Sequence, residues 1–260
     1  MAVAKTISDT LVEELNILAN SGSILDPFTS ARLRRDIKKL ESAHFIAARI
    51  CLGILYTIEN NAEKSLSTFE ETLSLDPSDR NIHTNYAHAL SKFRKPEAAC
   101  RHYKIAADLS PDHHALIDLA EAAQIIFKPR IFSETIKSNL DKIDIDALEK
   151  NINARATLQL ATLFEQNNIS DDEANKIYKI AESIMSERNI GFKKGNFRRT
   201  DNYGGSTVTF YAAIEGSADL IHELNETLCD RIVDFDACHI LKDIMYVFIP
   251  YHQEPTVNSL

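Results

Sequence analysis

Residues 46–79, IAARICLGILYTIENNAEKSLSTFEETLSLDPSD, and residues 80–113, RNIHTNYAHALSKFRKPEAACRHYKIAADLSPDH, align over 34 positions without a gap. Gly53 falls on Ala87, Ser65 on Ala99, Phe69 on Tyr103, Thr72 on Ala106 and Pro77 on Pro111. Leu52 falls on Tyr86 and Tyr56 on Leu90. A repeat of this length is one two-helix unit that stacks on copies of itself. Antiparallel helices approach closely only where small side chains meet, which sets Gly53 against Ser65 and Ala87 against Ala99. Tyr56 and Phe69 then fill the gap to the next hairpin. Each proline stops its unit, because proline cannot continue a helix and draws its predecessor out of helical geometry.

This order of small, aromatic and proline positions resembles the tetratricopeptide repeat family, strongly over about 46–113 and more weakly over 114–188. A third hairpin is expected near 153–188, where Ala161, Phe164, Ala174, Tyr178 and Ala181 keep the order. Residues 114–150 depart from it: a helix from Ala115 to Phe127, a break at Pro129, then a helix from Phe132 to Ile143 without the expected alanines. The resemblance implies a mostly α fold, an α-solenoid of stacked helical hairpins that share one core. It also implies a groove, lined by the first helix of each hairpin, for an extended peptide or a partner helix. The positions matching the family's groove-facing ones are Ala47, Ile50, Ile54 and Thr57, then Asn81, Thr84, Asn85, His88 and Ser91, then Asp118 and Ala122. Asparagines there can pair with a ligand backbone. The Ile50–Ile54 strip suits an apolar ligand segment or the protein's own N-terminal helices. Family members that clamp a terminal carboxylate need charges that Thr84 and His88 do not supply. For any one of these residues alone, a wet helix face without contacts is the plain alternative.

Upstream, residues 1–45 are expected to form a helical cap. Ile7, Leu11, Leu15 and Leu18 recur at helical spacing up to Ser21-Gly22-Ser23, and a second helix begins near Thr29 after Asp26-Pro27. Its Arg32, Arg34, Arg35, Lys38 and Lys39 read as a solvated outer face, or as a basic patch for an acidic partner.

Downstream of the repeats (46–190), residues 191–260 are expected to hold a basic connector and a small α/β appendage. Gly191 to Gly205 mixes glycine, basic residues and the aromatics Phe192, Phe197 and Tyr203. In Ser206–Ile214, alternation puts Val208, Phe210, Ala212 and Ile214 on one face. A helix from about Ala218 carries the stripe Leu220, Ile221, Leu224, Leu228 and Ile232, and Ile244–Ile249 reads as a buried strand closed by Pro250. The resulting strand–helix–strand has room for one more strand near Phe192–Arg199, and so small a sheet is marginal alone. Lys193, Lys194, Arg198 and Arg199 stand without an acidic residue in 191–200, whereas 201–260 carries ten acidic and two basic residues. The four cations read as a flexible, solvated connector or as an anion contact; their spacing fits no phosphate-loop fingerprint.

Seven glycines and seven prolines in 260 residues favour long helices over turn-rich β architecture. A net charge of −9 disfavours generic binding to nucleic acid or anionic membrane. No apolar run is long enough to span a membrane, and Met1–Lys5 carries no signal core. Cys51, Cys100, Cys229 and Cys238 lack paired spacing and read as reduced, mostly buried residues of a cytoplasmic protein. His83 and His88, five apart, share no metal-binding ridge. Asp219, His222 and Glu223 run on into Glu226 and Asp230 as an acidic stripe. These readings converge on a non-catalytic adaptor or scaffold without metal or cofactor. Its partner is another protein or peptide held in the groove, with dimerisation or a second contact through the C-terminal part. A repeat-based ligand sensor, or an enzyme with its chemistry in 191–250, remain alternatives.

Overall fold

The computed structural model describes residues 7–21, 25–202 and 205–251, so the readings made at Met1–Lys5, Gly22, Ser23, Tyr203 and Gly204 lie outside the described residues. The chain forms two compact units, one of residues 1–122 and 134–154, the other of 123–133 and 155–260.

The first unit opens with α1 (Ile7–Ser21), α2 (Pro27–Glu41), α3 (Phe45–Ile58), α4 (Ala62–Leu75), α5 (Arg80–Lys92) and α6 (Pro96–Leu109). One neighbour rule runs through them. α3 lies against α4, α5 against α6, α3 against α5, and α4 against α5. The pair α1–α2 obeys the same rule one step earlier, since α1 and α2 touch each other and both touch α3. Successive helices thus pack pairwise as a helical-repeat stack, and the two N-terminal helices join it as a further hairpin. Leu11, Leu15, Leu33, Ile37 and Leu40 supply their buried faces.

Close approach works as the residue sizes require. The Ser65 hydroxyl donates to the Gly53 carbonyl at 3.2 Å. A Cβ at Gly53 would stand 2.7 Å from the Phe69 ring, so only glycine lets that fully buried ring lie on α3. Phe69 stacks in turn on Tyr86 of the next hairpin, with ring centroids 5.6 Å apart. Helix starts are fixed by Asp26, Asn61 and Asp79, whose side chains accept backbone N–H groups of the first turn. Asn60 and Arg94 take φ of 57° and 56° just past α3 and α5, and the next residue's N–H returns to a helix carbonyl (Asn61 to Tyr56, Lys95 to Leu90). That reversal ends a helix without orphaning its last carbonyls.

α7 (His113–Ile125), α8 (Pro129–Lys137), α9 (Ile145–Glu149) and α10 (Ile152–Gln166) follow. The expected helix 132–143 starts earlier and stops sooner. Proline is suited to a first helical position, where the missing N–H would have no partner. At the other end Asn139 draws its N–H to Ile136 and its side-chain amide to the Thr135 carbonyl, tightening the last turn. Cys51 and Cys100 are buried, but Cys229 and Cys238 are exposed, which corrects the expectation for the latter two.

The second unit contains α11 (Asp171–Glu187), β1 (Phe192–Asn202), β2 (Gly205–Ile214), α12 (Ala218–Asp234) and β3 (Ile244–Pro250). A capping box between Ser170 and Glu173 starts α11. The sheet order is β1-β2-β3, with β1 antiparallel and β3 parallel to β2, so α12 is the crossover between parallel neighbours. Residues 192–202 are therefore strand, as expected near Phe192–Arg199, and not the flexible connector also read in that stretch. Val208, Phe210, Ala212 and Ile214 are buried as alternation requires, with Ile244, Tyr246 and Phe248 opposite or diagonal to them. The Phe127 ring sits among Tyr178, Phe197, Phe210 and Tyr246 at centroid distances of 5.1–6.0 Å. Phe127 adopts φ 58°, a left-handed conformation that bulky residues rarely take. Its ring contacts hold it there.

Candidate functional site

The groove-facing positions separate into two groups. Ile50 and Ile54 are each only 7 % exposed. α3 sits mid-stack, touched by α1, α2, α4 and α5, so its apolar strip is core and offers a ligand no surface. On α5 the outlook differs. Asn81, His88 and Ser91 are exposed, and Thr84 and Asn85 half-buried. The Asn85 amide donates to the Asn81 carbonyl at 2.8 Å, leaving its own carbonyl oxygen free to accept. Thr84 Oγ1 is buried without a hydrogen-bond partner among the described residues.

His88 and Asp118, thirty residues apart in sequence, meet. Tyr103 of α6 lies 2.8 Å from His88 Nδ1, and His88 Nε2 lies 3.7 Å from Asp118 Oδ2 on α7. Burial raises the Tyr103 hydroxyl well above its ordinary range, so it is the donor. That bond leaves the His88 proton on Nε2, facing Asp118. Burial likewise pushes the Asp118 carboxyl up, partly offset by His88. The His88 side chain keeps 55 % of its surface exposed and Asp118 28 %. A half-desolvated carboxylate and an oriented imidazole, flanked by two asparagines, can bind backbone amides and cationic groups of a polypeptide. Sequence reasoning passes over Tyr103, because its ring matches Phe69 as a spacer; the hydroxyl that Phe69 lacks is the one available signal.

A second histidine pair was also missed. His83 Nε2 lies 3.0 Å from the Pro77 carbonyl, which can only accept, so His83 Nδ1 accepts from His102 Nδ1–H at 2.8 Å. His102 leans on Tyr86, whose hydroxyl donates to Glu70 at 2.8 Å. Burial foremost, then the charges of His83 and Arg101, lower His102 to about 4. These groups bind one another and read as an interior network. Among the described residues no group of three or more His, Cys, Asp or Glu could hold a metal ion, and no helix is long and apolar enough to cross a membrane.

The basic residues of α2 are largely spoken for within the unit. Arg32 pairs with Glu14, Arg34 with Glu59 while lying over the Tyr56 ring, and Lys39 with Asp36. The four cations Lys193, Lys194, Arg198 and Arg199 lie on β1 and are exposed: Lys193 pairs with Glu215 at 3.1 Å and Arg199 with Asp201 at 2.7 Å, whereas Lys194 and Arg198 have no ion pair among the described residues. A cleft of about 310 Å³ between Asp112, Leu116, Lys142, Asp144 and Leu148 has its carboxylates already engaged. Asp112 binds Arg80 and the Ala115 N–H, and Asp144 binds the Ala147 N–H.

No protein-family model matches the chain, and no curated protein matches it at a significant level.

Proposed function

We propose that the helical stack is a tetratricopeptide-type module of a non-catalytic cytoplasmic adaptor that holds a partner polypeptide along α5 and α7. The observation that carries this reading is the meeting of His88, Asp118 and Tyr103 across three successive helices, beside Asn81 and Asn85. Keeping a carboxylate half-buried costs stability, and such positions concentrate at functional sites. The site lacks the apolar first-repeat wall expected at Ile50 and Ile54, so the ligand segment is polar or basic where it crosses α5. The second unit adds a further contact or joins two copies.

The test uses the intact chain as bait in a lysate of its native source, with a photo-crosslinking residue at Ser91. The expected result is one crosslinked partner whose capture falls at least tenfold in the Asn81→Ala, Asn85→Ala, His88→Ala triple variant. These side chains are exposed or half-exposed, so the variant should stay folded, with only a small fall in thermal stability where the Tyr103 hydroxyl loses His88. Undiminished capture by a folded triple variant would remove the α5 face from this reading.

A further inference from the structure

A sheet has two edges, and this fold treats them differently. At β3 the Asn225 side chain of α12 caps the outer edge at Phe248: its amide donates to the Phe248 carbonyl at 2.9 Å and its oxygen accepts the Phe248 N–H at 2.9 Å. At that residue one asparagine takes the outward N–H and C=O as a strand partner would. At β1 the sheet ends on an eleven-residue strand with no neighbouring strand beyond it among the described residues. In an antiparallel strand, alternate residues direct N–H and C=O away from the existing partner. β1 therefore presents a row of unused backbone donors and acceptors, the template on which an extended peptide adds as a strand.

The side chains say what kind of strand fits. Lys194 pairs with Ala213, Asn196 with Tyr211 and Arg198 with Thr209, which places these three on one face of β1. That face is opposite the one bearing Val208, Phe210 and Ala212, and all three residues are exposed. Lys194 and Arg198, four residues apart, stand about 13 Å apart along the strand. Glutamates at every fourth position of an added strand would meet them directly across the ladder, where opposite charges attract and like charges repel. A charged edge also keeps sheets from pairing with their own kind. Here two β1 edges would bring eight cations together, so self-pairing is disfavoured while an acidic strand is welcomed.

We infer that β1 is a docking edge for an extended, acidic segment of a partner protein, which adds as a fourth strand beside Lys194 and Arg198. The site is distinct from the α5 face and does not depend on it.

The experiment uses the full chain and a fluorescein-labelled ten-residue peptide of alternating glutamate and valine, read by fluorescence anisotropy. Controls are the lysine-for-glutamate peptide, the acidic peptide N-methylated through its central six residues, and a ten-nucleotide oligo-dT. The acidic peptide should bind, with affinity falling as salt rises and dropping at least tenfold in Lys194→Glu, Arg198→Glu protein. N-methylation should abolish binding, and β1 amides should exchange more slowly when peptide is bound. Both substituted side chains are exposed, and unchanged circular dichroism will confirm folding. Equal binding of the N-methylated peptide would reduce the site to unspecific attraction and overturn strand addition. Binding of oligo-dT in preference to the acidic peptide would reassign the edge to nucleic acid. A light-scattering mass of twice the chain, with β1 amides protected before peptide is added, would hand the edge to a second copy.

Discussion

Gly53 shows how much one missing side chain can decide. A methyl group there would meet a ring that has no room to retreat, because Phe69 is fully buried and stacked on Tyr86. Alanine gains about 1 kcal/mol of helix propensity over glycine, whereas overpacking typically costs ~1–3 kcal/mol. Gly53→Ala is therefore expected to lower the urea midpoint, a net loss of up to about 2 kcal/mol, and Phe69→Leu in the same chain should recover part of it. His102 carries a pH signature. Its folded form resists protonation down to about 4, against an ordinary 6.5. As pH falls through that window the unfolded chain takes up a proton that the folded one refuses, so stability is lost between about 6.5 and 4 and is complete above it. Discounted for partial exposure, the loss is on the order of 1–2 kcal/mol. Urea midpoints from pH 7.5 to 5 should fall more steeply for the natural chain than for His102→Gln; parallel slopes would refute the assignment.

At the scale of elements, helix ends and strand edges hold most of the information. Among the described residues, six outside glycine take left-handed φ, and each stands just past a helix: Asn60, Arg94, Phe127, Asn168, Asn189 and Asp236. Asp236 is the misfit. It lies past α12 with φ 51°, and a carboxylate there faces the negative end of the helix dipole. Asp236→Gly removes both penalties and should stabilise the second unit by about 0.5–1.5 kcal/mol. Asp236→Asn, which removes only the charge, should recover less; thermal melts of the three proteins rank them. The hairpins 46–79 and 80–113 were legible because each needs a small residue at the crossing and an aromatic beside it, a requirement written in Gly53, Ser65, Ala87 and Ala99. The alternation of Val208, Phe210, Ala212 and Ile214 was equally plain. What stayed hidden depends on partners far away in sequence. The burial of Ile50 and Ile54 follows from α1 reaching α3, and the Tyr103–His88–Asp118 cluster from three helices converging. Gly195 and the lysines around it look like a linker until Phe210 is seen to lay its ring where a Cβ would be, 2.5 Å away. Local composition cannot carry that contact.

Over the whole molecule, the two compact units are not consecutive in the chain. The first takes in residues 134–154 after the second has already claimed 123–133. Composition shifts near residue 190, yet α11 touches both α12 and β3 within one unit. A change in composition marks where strands begin, and the contacts decide what folds together. This interleaving bears on how the protein is made. Phe127 leaves the ribosome roughly 120 residues ahead of Tyr246, on the order of 6–24 s at ~5–20 residues per second. Throughout that interval the nascent chain displays an aromatic side chain whose set of ring neighbours is incomplete, Tyr178, Phe197 and Phe210 arriving in turn before Tyr246. Its early helices can assemble while the later half is still being translated, and the phenylalanine must wait, shielded by a chaperone or by transient contacts, for the sheet that will enclose it.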